Sequence, residues 1–210
     1  NTNIIVLLIG AISFIIGITY SFGPIPISRT PFGEIFSGLA MGFIITFLSV
    51  YIHIFDAGIL SINLNELSNI NIKLNLIELI NIFIVCLSPI MGIANIMLAN
   101  NICDIEEDIE NKRYTLPIFI GKENALKLFK WLYYIGFISI VIGVVIKAIP
   151  AISIVTLLVL KIVEENINKF YKLQTKKDTF ILAVKNFVFT NLVYALTILG
   201  GTILQLIGSR

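Results

Sequence analysis

Two aspartates, Asp104 and Asp108, stand four residues apart in the stretch Asn100-Asn101-Ile102-Cys103-Asp104-Ile105-Glu106-Glu107-Asp108. The chain holds only two others, Asp56 and Asp178, and both are isolated. On a helix, side chains at i and i+4 share one face, with about 5–6 Å between Cβ atoms. At that separation two carboxylates can share hard divalent cations. Mg²⁺ keeps few protein ligands and readily bridges carboxylates to phosphate oxygens. The pair falls where a long apolar segment ends. Acidic oxygens at the mouth of an apolar bundle suit a diphosphate carried on a greasy molecule. The same spacing also fits a solvated helix end with acidic decoration, and spacing alone leaves both readings open.

The elements that must position this pair are membrane helices. The chain is 57% hydrophobic and only 13% charged, against about 25% charged residues in soluble domains. Six long apolar segments run over 4–21, 33–55, 74–100, 123–147, 150–163 and 180–207. The fifth is short against the ~20 residues a span needs, so it extends into the amphipathic stretch from Glu164 to Tyr171. Gly23-Pro24-Ile25-Pro26, an Asn-rich loop from Ser61 to Asn75, and Pro150 mark the breaks. There is no internal repeat, and residues 1–210 read as one all-α membrane domain.

Six spans put the loops near 22–32, 101–122 and 164–179 on one side. Of the 15 Lys and Arg, all but Lys73, Lys147 and Arg210 fall on or near that side. The positive-inside rule makes it cytoplasmic, so the acidic pair faces the cytoplasm and the chain sits in the cell membrane. The net charge of +2 therefore reflects topology and gives no reason to expect nucleic acid as a partner. Cys86 and Cys103 form no metal or redox pattern, and Cys86 reads as a small buried hydrophobe. The first residue is Asn1 and an apolar span follows at once, so the chain reads as the C-terminal part of something longer or as a sequence trimmed at its start.

The stretch Asn100–Gly121, NNICDIEEDIENKRYTLPIFIG, resembles the second aspartate motif of the UbiA-type membrane prenyltransferases. It is most similar to the branch that uses 1,4-dihydroxy-2-naphthoate in menaquinone synthesis, whose pattern is like NNxRDxxxDxxxGKxTLxxxxG. Asn100, Asn101, Asp104, Asp108, Thr115, Leu116 and Gly121 match. Cys103 stands where Arg is usual, Ile109 where a second Arg is common, and Lys112 where Gly is expected. Arg113 falls at the usual Lys position. Tyr20-Ser21-Phe22-Gly23-Pro24-Ile25-Pro26, followed by Gly33-Glu34, resembles a second segment of the same branch.

The resemblance implies a nine-span bundle of which the six segments here are the last six. It also implies a first aspartate motif, similar to NDxxDxxxD, which does not occur in these 210 residues. The 210-residue chain alone is therefore expected to be inactive. The implied chemistry is Mg²⁺-dependent prenyl transfer from a polyprenyl diphosphate. Metal ions make the diphosphate a leaving group, and the apolar bundle shields the resulting allylic cation from water. In the naphthoate branch the prenyl group replaces a carboxylate, with loss of CO₂.

Within that reading Asp104 and Asp108 bind Mg²⁺, and Asn101 adds an oxygen ligand or orients Asp104. Asn100 has the same role more weakly. Arg113 and Lys112 hold diphosphate oxygens, as basic groups commonly do, or serve only as positive-inside charge. Tyr20 and Glu34 line the side of the aromatic acceptor. Glu107 lies near the aspartate face, and Glu106 and Glu110 face solvent. His53 reads as a satisfied interfacial histidine, and Lys185 as a side chain that snorkels to the surface. Trp131, Tyr133 and Tyr134 read as packing. Competing readings are a family member for another acceptor (a glycerol phosphate lipid, hydroxybenzoate or haem), a degenerate non-catalytic member, and a transporter. Transporters place polar groups at the bilayer midplane in broken helices, whereas the acidic residues here cluster at the surface.

Overall fold

In a bilayer the backbone must satisfy its own hydrogen bonds, so uncharged runs of Ile, Leu, Val and Phe fold as helices. The computed structural model describes residues 4–54, 58–66 and 69–208. Asn1, Asp56 and Arg210 lie outside the described residues. Among the described residues, five helices are long and apolar enough to cross a membrane. They are α1 (Ile4–Ser21), a composite helix from Gly33 to Ile54, α4 (Leu76–Cys103), α7 (Lys122–Val145) and α9 (Phe180–Gly208). The composite span joins α2 (Gly33–Ser37) to α3 (Ile45–Ile54) through a π-helical stretch, Gly38–Ile44.

The sixth apolar segment, expected as a span at 150–163, takes another form. Pro150 opens a 3-10 segment, Ala151–Val159, which continues as α8 (Leu160–Lys172). Side chains three apart eclipse in a 3-10 helix, and its buried residues Ser153, Thr156 and Val159 follow that period. The segment runs the length of the bundle. Pro150 and Ile152 face Gly201 near the end of α9. Further along, Thr156 meets Thr197 at 3.3 Å and Asn166 donates to Asn186 at 2.7 Å. Tyr171 Oη then donates to Leu126 O at 2.7 Å, near the start of α7. Nine residues of 3-10 helix rise ~18 Å, and about two turns of α8 complete a ~30 Å core.

The Asn-rich stretch expected as a loop at 61–75 departs from that expectation, within an otherwise all-α chain. It forms an antiparallel ribbon of β1 (Leu60–Glu66) and β2 (Asn69–Leu74), in register from Leu60↔Leu74 to Leu64↔Ile70 with an irregularity before Glu66. The reason lies in the sequence, where apolar residues alternate with Asn over both halves, the two-residue period of a strand. The composition of the loop masked that period.

α4 is the axis of the bundle and carries most of the core. Leu98, Ala99 and Ile102 pack with Phe129 and Phe137 of α7 and Val163 of α8. Pro89 interrupts α4 and leaves the carbonyl of Val85 without its helical N–H. Tyr194 Oη of α9 donates to that carbonyl at 3.2 Å. Cys86 is buried in the same span, as expected. His53 lies exposed near the end of α3, its Nδ1 2.7 Å from Ser49 O.

Candidate active site at one end of the bundle

The aspartate pair forms where α4 stops. Asp104 ends α4 and begins α5 (Ile105–Glu110), with φ −104° and ψ 7°. That sparsely populated region is one where active-site residues often sit. The two aspartates thus bracket a joint between helices, yet Asp108 N still donates to Asp104 O at 2.7 Å, so the i, i+4 relation survives. Asp104 is 6% exposed and Asp108 1% exposed, which removes the reading of the pair as solvated decoration. Glu106, Glu107 and Glu110 are the exposed acids.

The turn after α5 supplies the first countercharge. Lys112 takes φ +54°. Arg113 N donates to Asp108 O at 2.8 Å and Lys112 N to Ile109 O at 3.1 Å, the two bonds of a Schellman cap. The left-handed residue swings the chain back, so that Arg113 Nε lies 3.3 Å from Asp108 Oδ1. Thr115, at the start of α6 (Leu116–Ile120), is fully buried and its Oγ1 donates to Asp108 Oδ2 at 3.1 Å. Lys112 itself is exposed. Arg113 and Lys112, taken together in the sequence, therefore separate: one meets the pair and the other faces out. Burial pushes the Asp108 carboxyl above its ordinary range, against the pull of Arg113 and Thr115, and the nearby Asp104 adds to the rise.

Three loops converge here, as the span count requires. Arg113 Nη2 donates to Ser28 O at 3.4 Å and Tyr114 N to Arg29 O at 3.0 Å. From the turn before α9, Lys176 Nζ lies 2.6 Å from Asp104 Oδ2. Lys176 was counted in the sequence only as a topological charge. Its signal was faint: a Thr-Lys-Lys-Asp-Thr turn opening the last span on the side of the aspartates.

The asparagines knit the pair to the second span. Asn100 Nδ2 donates to Asp104 Oδ2 at 3.3 Å and to Asn101 Oδ1 at 3.4 Å. Asn101 Nδ2 donates to Glu34 Oε1 at 2.9 Å across helices. Glu34 is 2% exposed. Its Oε2 and the buried Tyr20 Oη make no hydrogen bond among the described residues. Behind Tyr20 and Ser37 a largely apolar cavity of about 400 Å³ opens between α1 and the second span, reaching Gly10, Leu48 and Met97.

The donor set suits a hard divalent cation, because Mg²⁺ needs only one or two carboxylates beside substrate oxygens and water. Among the described residues no three His, Cys, Asp or Glu side chains form a closed cage. The chain thus offers an edge of two carboxylates, ion-paired to Arg113 and Lys176.

Residues 1–191 match the UbiA prenyltransferase family. Over 159 residues the chain is 35% identical to the 1,4-dihydroxy-2-naphthoate octaprenyltransferase of Bacillus subtilis (strain 168). That stretch makes up 75% of this chain and 44% of the relative, so the chain spans less than half the length of the curated relative it matches. No solved structure matches the chain. A helical membrane bundle with the expected acidic stretch at one end, matched over nearly its whole length, belongs to the UbiA prenyltransferase family.

Proposed function

We propose that the protein takes part in Mg²⁺-dependent transfer of a polyprenyl group from polyprenyl diphosphate to 1,4-dihydroxy-2-naphthoate, within menaquinone synthesis. The observation that carries the reading is the burial of Asp104 and Asp108 between Arg113 and Lys176, beside an apolar cavity. Bound Mg²⁺ would supply charge neutralisation at the diphosphate. Asp104 and Asp108 are the residues that would hold it, with the Asn101 oxygen within the same network. Arg113 presents its guanidinium beside the pair, where donors to phosphate oxygens are wanted. The cavity has the apolar lining a prenyl chain needs.

Tyr20 Oη and Glu34 Oε2 are the unsatisfied polar atoms between cavity and carboxylates. Buried polar atoms without partners are costly, so both are assigned to the hydroxyl groups of the acceptor ring. Lys112, being exposed, is assigned no contact with the donor. The end carrying the aspartates is assigned to the cytoplasm on the distribution of Lys and Arg.

The test is transfer from radiolabelled polyprenyl diphosphate in membranes containing the full protein. Acceptors offered are naphthoate, hydroxybenzoate, a glycerol phosphate and haem. The expected result is labelling of naphthoate with release of CO₂, abolished by Asp104→Asn or Asp108→Asn. Labelling of another acceptor, with none of naphthoate, would move the protein to a different branch. No transfer to any acceptor would end the reading.

A further inference from the structure

Lys176 stands on a turn that its neighbours hold rigidly. Thr175 Oγ1 donates to Asp178 Oδ2 at 3.0 Å and accepts from Asp178 N at 3.2 Å. Thr179 Oγ1 donates to Thr175 O at 3.2 Å and accepts from Thr175 N at 3.0 Å. Thr179 N and Phe180 N both reach Thr175 O, at 3.1 and 3.0 Å. The backbone carrying Lys176 is thereby fixed at the entrance to α9. The side chain is a different matter: it is 53% exposed and a four-carbon stem carries its ammonium. The end of that stem reaches a nearly buried carboxylate, Asp104 Oδ2, at 2.6 Å.

The same oxygen that receives Lys176 is an oxygen a divalent cation would take. A divalent cation on this carboxylate repels an ammonium at contact distance, so its binding weakens the hold of Lys176 on Oδ2. We propose that Lys176 is an exchangeable counter-ion. It neutralises Asp104 while no cation is bound, and it passes to the anionic head of the prenyl donor when a cation takes Asp104. The pinned turn keeps the released ammonium within one side-chain length of Asp104, within reach of an anionic group held at the pair. This rests on the proposed reading of the aspartate pair as a cation site. Lys176 would touch the substrate only after exchange, which separates it from Arg113, whose guanidinium is tied to Asp108 and the Ser28 carbonyl.

The experiment uses the full protein in membranes, with Mn²⁺ as the probe. Mn²⁺ affinity is read by electron paramagnetic resonance without donor, and transfer kinetics are read with polyprenyl diphosphate. Lys176→Gln should move the two readouts in opposite directions. Mn²⁺ should bind about five-fold tighter, the worth of one half-exposed ion pair. The KM for the donor should rise at least ~10-fold, the worth of a charge-assisted hydrogen bond. Lys176→Arg should restore donor KM. A simple latch between the α8–α9 turn and α4 would make Lys176→Gln weaken both or change neither, and either result overturns the proposal. If Lys176→Gln does not accumulate, Lys176→Met keeps the apolar stem and answers the same question. Asp104→Asn is the control for the underlying reading: Mn²⁺ binding that survives it would sink the cation site itself, whatever Lys176 does.

Discussion

Gly42 lies where the second span crosses α4 most closely. A Cβ at this position would stand 2.5 Å from Ile90 Cα and 2.8 Å from Ile90 N. Carbon atoms pack best at about 3.5–4.0 Å, so Gly42→Ala must open the crossing by ~1 Å. Both opposing atoms are backbone, and no change of rotamer relieves them. Overpacking of this kind costs ~1–3 kcal/mol, while the better helix propensity of Ala returns up to ~1 kcal/mol. Because both contacts are backbone, the cost falls in the upper half of that range, and a net loss of ~1–2 kcal/mol is expected. One turn nearer the site, Gly38 faces Ile90 O and Ala94 across the same crossing. One turn further, Glu34 accepts the 2.9 Å bond from Asn101. The widened crossing should therefore stretch the link between the second span and the aspartate motif. Misplacement by ~1 Å can cost ~100-fold in rate. Thermal unfolding in detergent and prenyl transfer in membranes read the two effects. Gly200→Ala is the matched control, because a Cβ there meets nothing within 4 Å. Gly42→Ala as stable and as active as its parent would refute the close-packing argument.

Other outcomes follow from single contacts. Gly200→Ala should be neutral or stabilise by up to ~1 kcal/mol. Its neighbour Gly201→Ala should destabilise, since a Cβ would stand 2.3 Å from Pro150 Cβ; equal melting temperatures for the two variants would contradict the packing of the 3-10 segment. Tyr194→Phe strips the Val85 carbonyl of its donor and should cost ~1–3 kcal/mol in a denaturant or thermal series. Burial raises the Asp108 carboxyl above its ordinary 3.8, and a raised carboxyl takes up its proton at higher pH. Mn²⁺ affinity should consequently fall on acidification before it would at an exposed aspartate, and a titration flat down to the ordinary range would remove the burial argument. Lys112→Cys, at an exposed position, should react with an impermeant thiol reagent only from the cytoplasmic face; labelling from outside would invert the topology.

The five spans were legible because each is a long, largely apolar run, and hydropathy reads such runs directly. The sixth was legible in place and not in form. Pro150 and β-branched residues set a 3-10 segment there, and a period of three is easily lost in a stretch that is apolar on nearly every side. The β-ribbon was missed because Asn at alternate positions reads as a loop by composition. At the site, spacing pointed to Asp104 and Asp108, and the family resemblance added Asn101 and Arg113. The link from Asn101 to Glu34 spans 67 residues, and both ends were named, though not their contact. Lys176 was out of reach, because a lysine near a membrane surface satisfies the positive-inside rule without needing a partner.

The distribution of charge around the pair explains why one motif could not have built this site. A buried carboxylate is severely destabilised unless a cation or hydrogen-bond donors compensate it. Asp108 receives its countercharge locally, five residues on, through the turn at Lys112. Asp104 receives none from its own segment: Cys103 beside it is neutral, and the neighbouring acids point outward. Its compensation comes from Asn100 and, across the bundle, from Lys176 at the start of α9. The pair can therefore be buried only once α4 and α9 have packed with the right depth, a register set by the Tyr194–Val85 contact along the same two helices. Folding and site assembly are then one event. An error in the α4–α9 register would expose itself first as an uncompensated Asp104, and cation affinity is the more sensitive gauge of it than helix content.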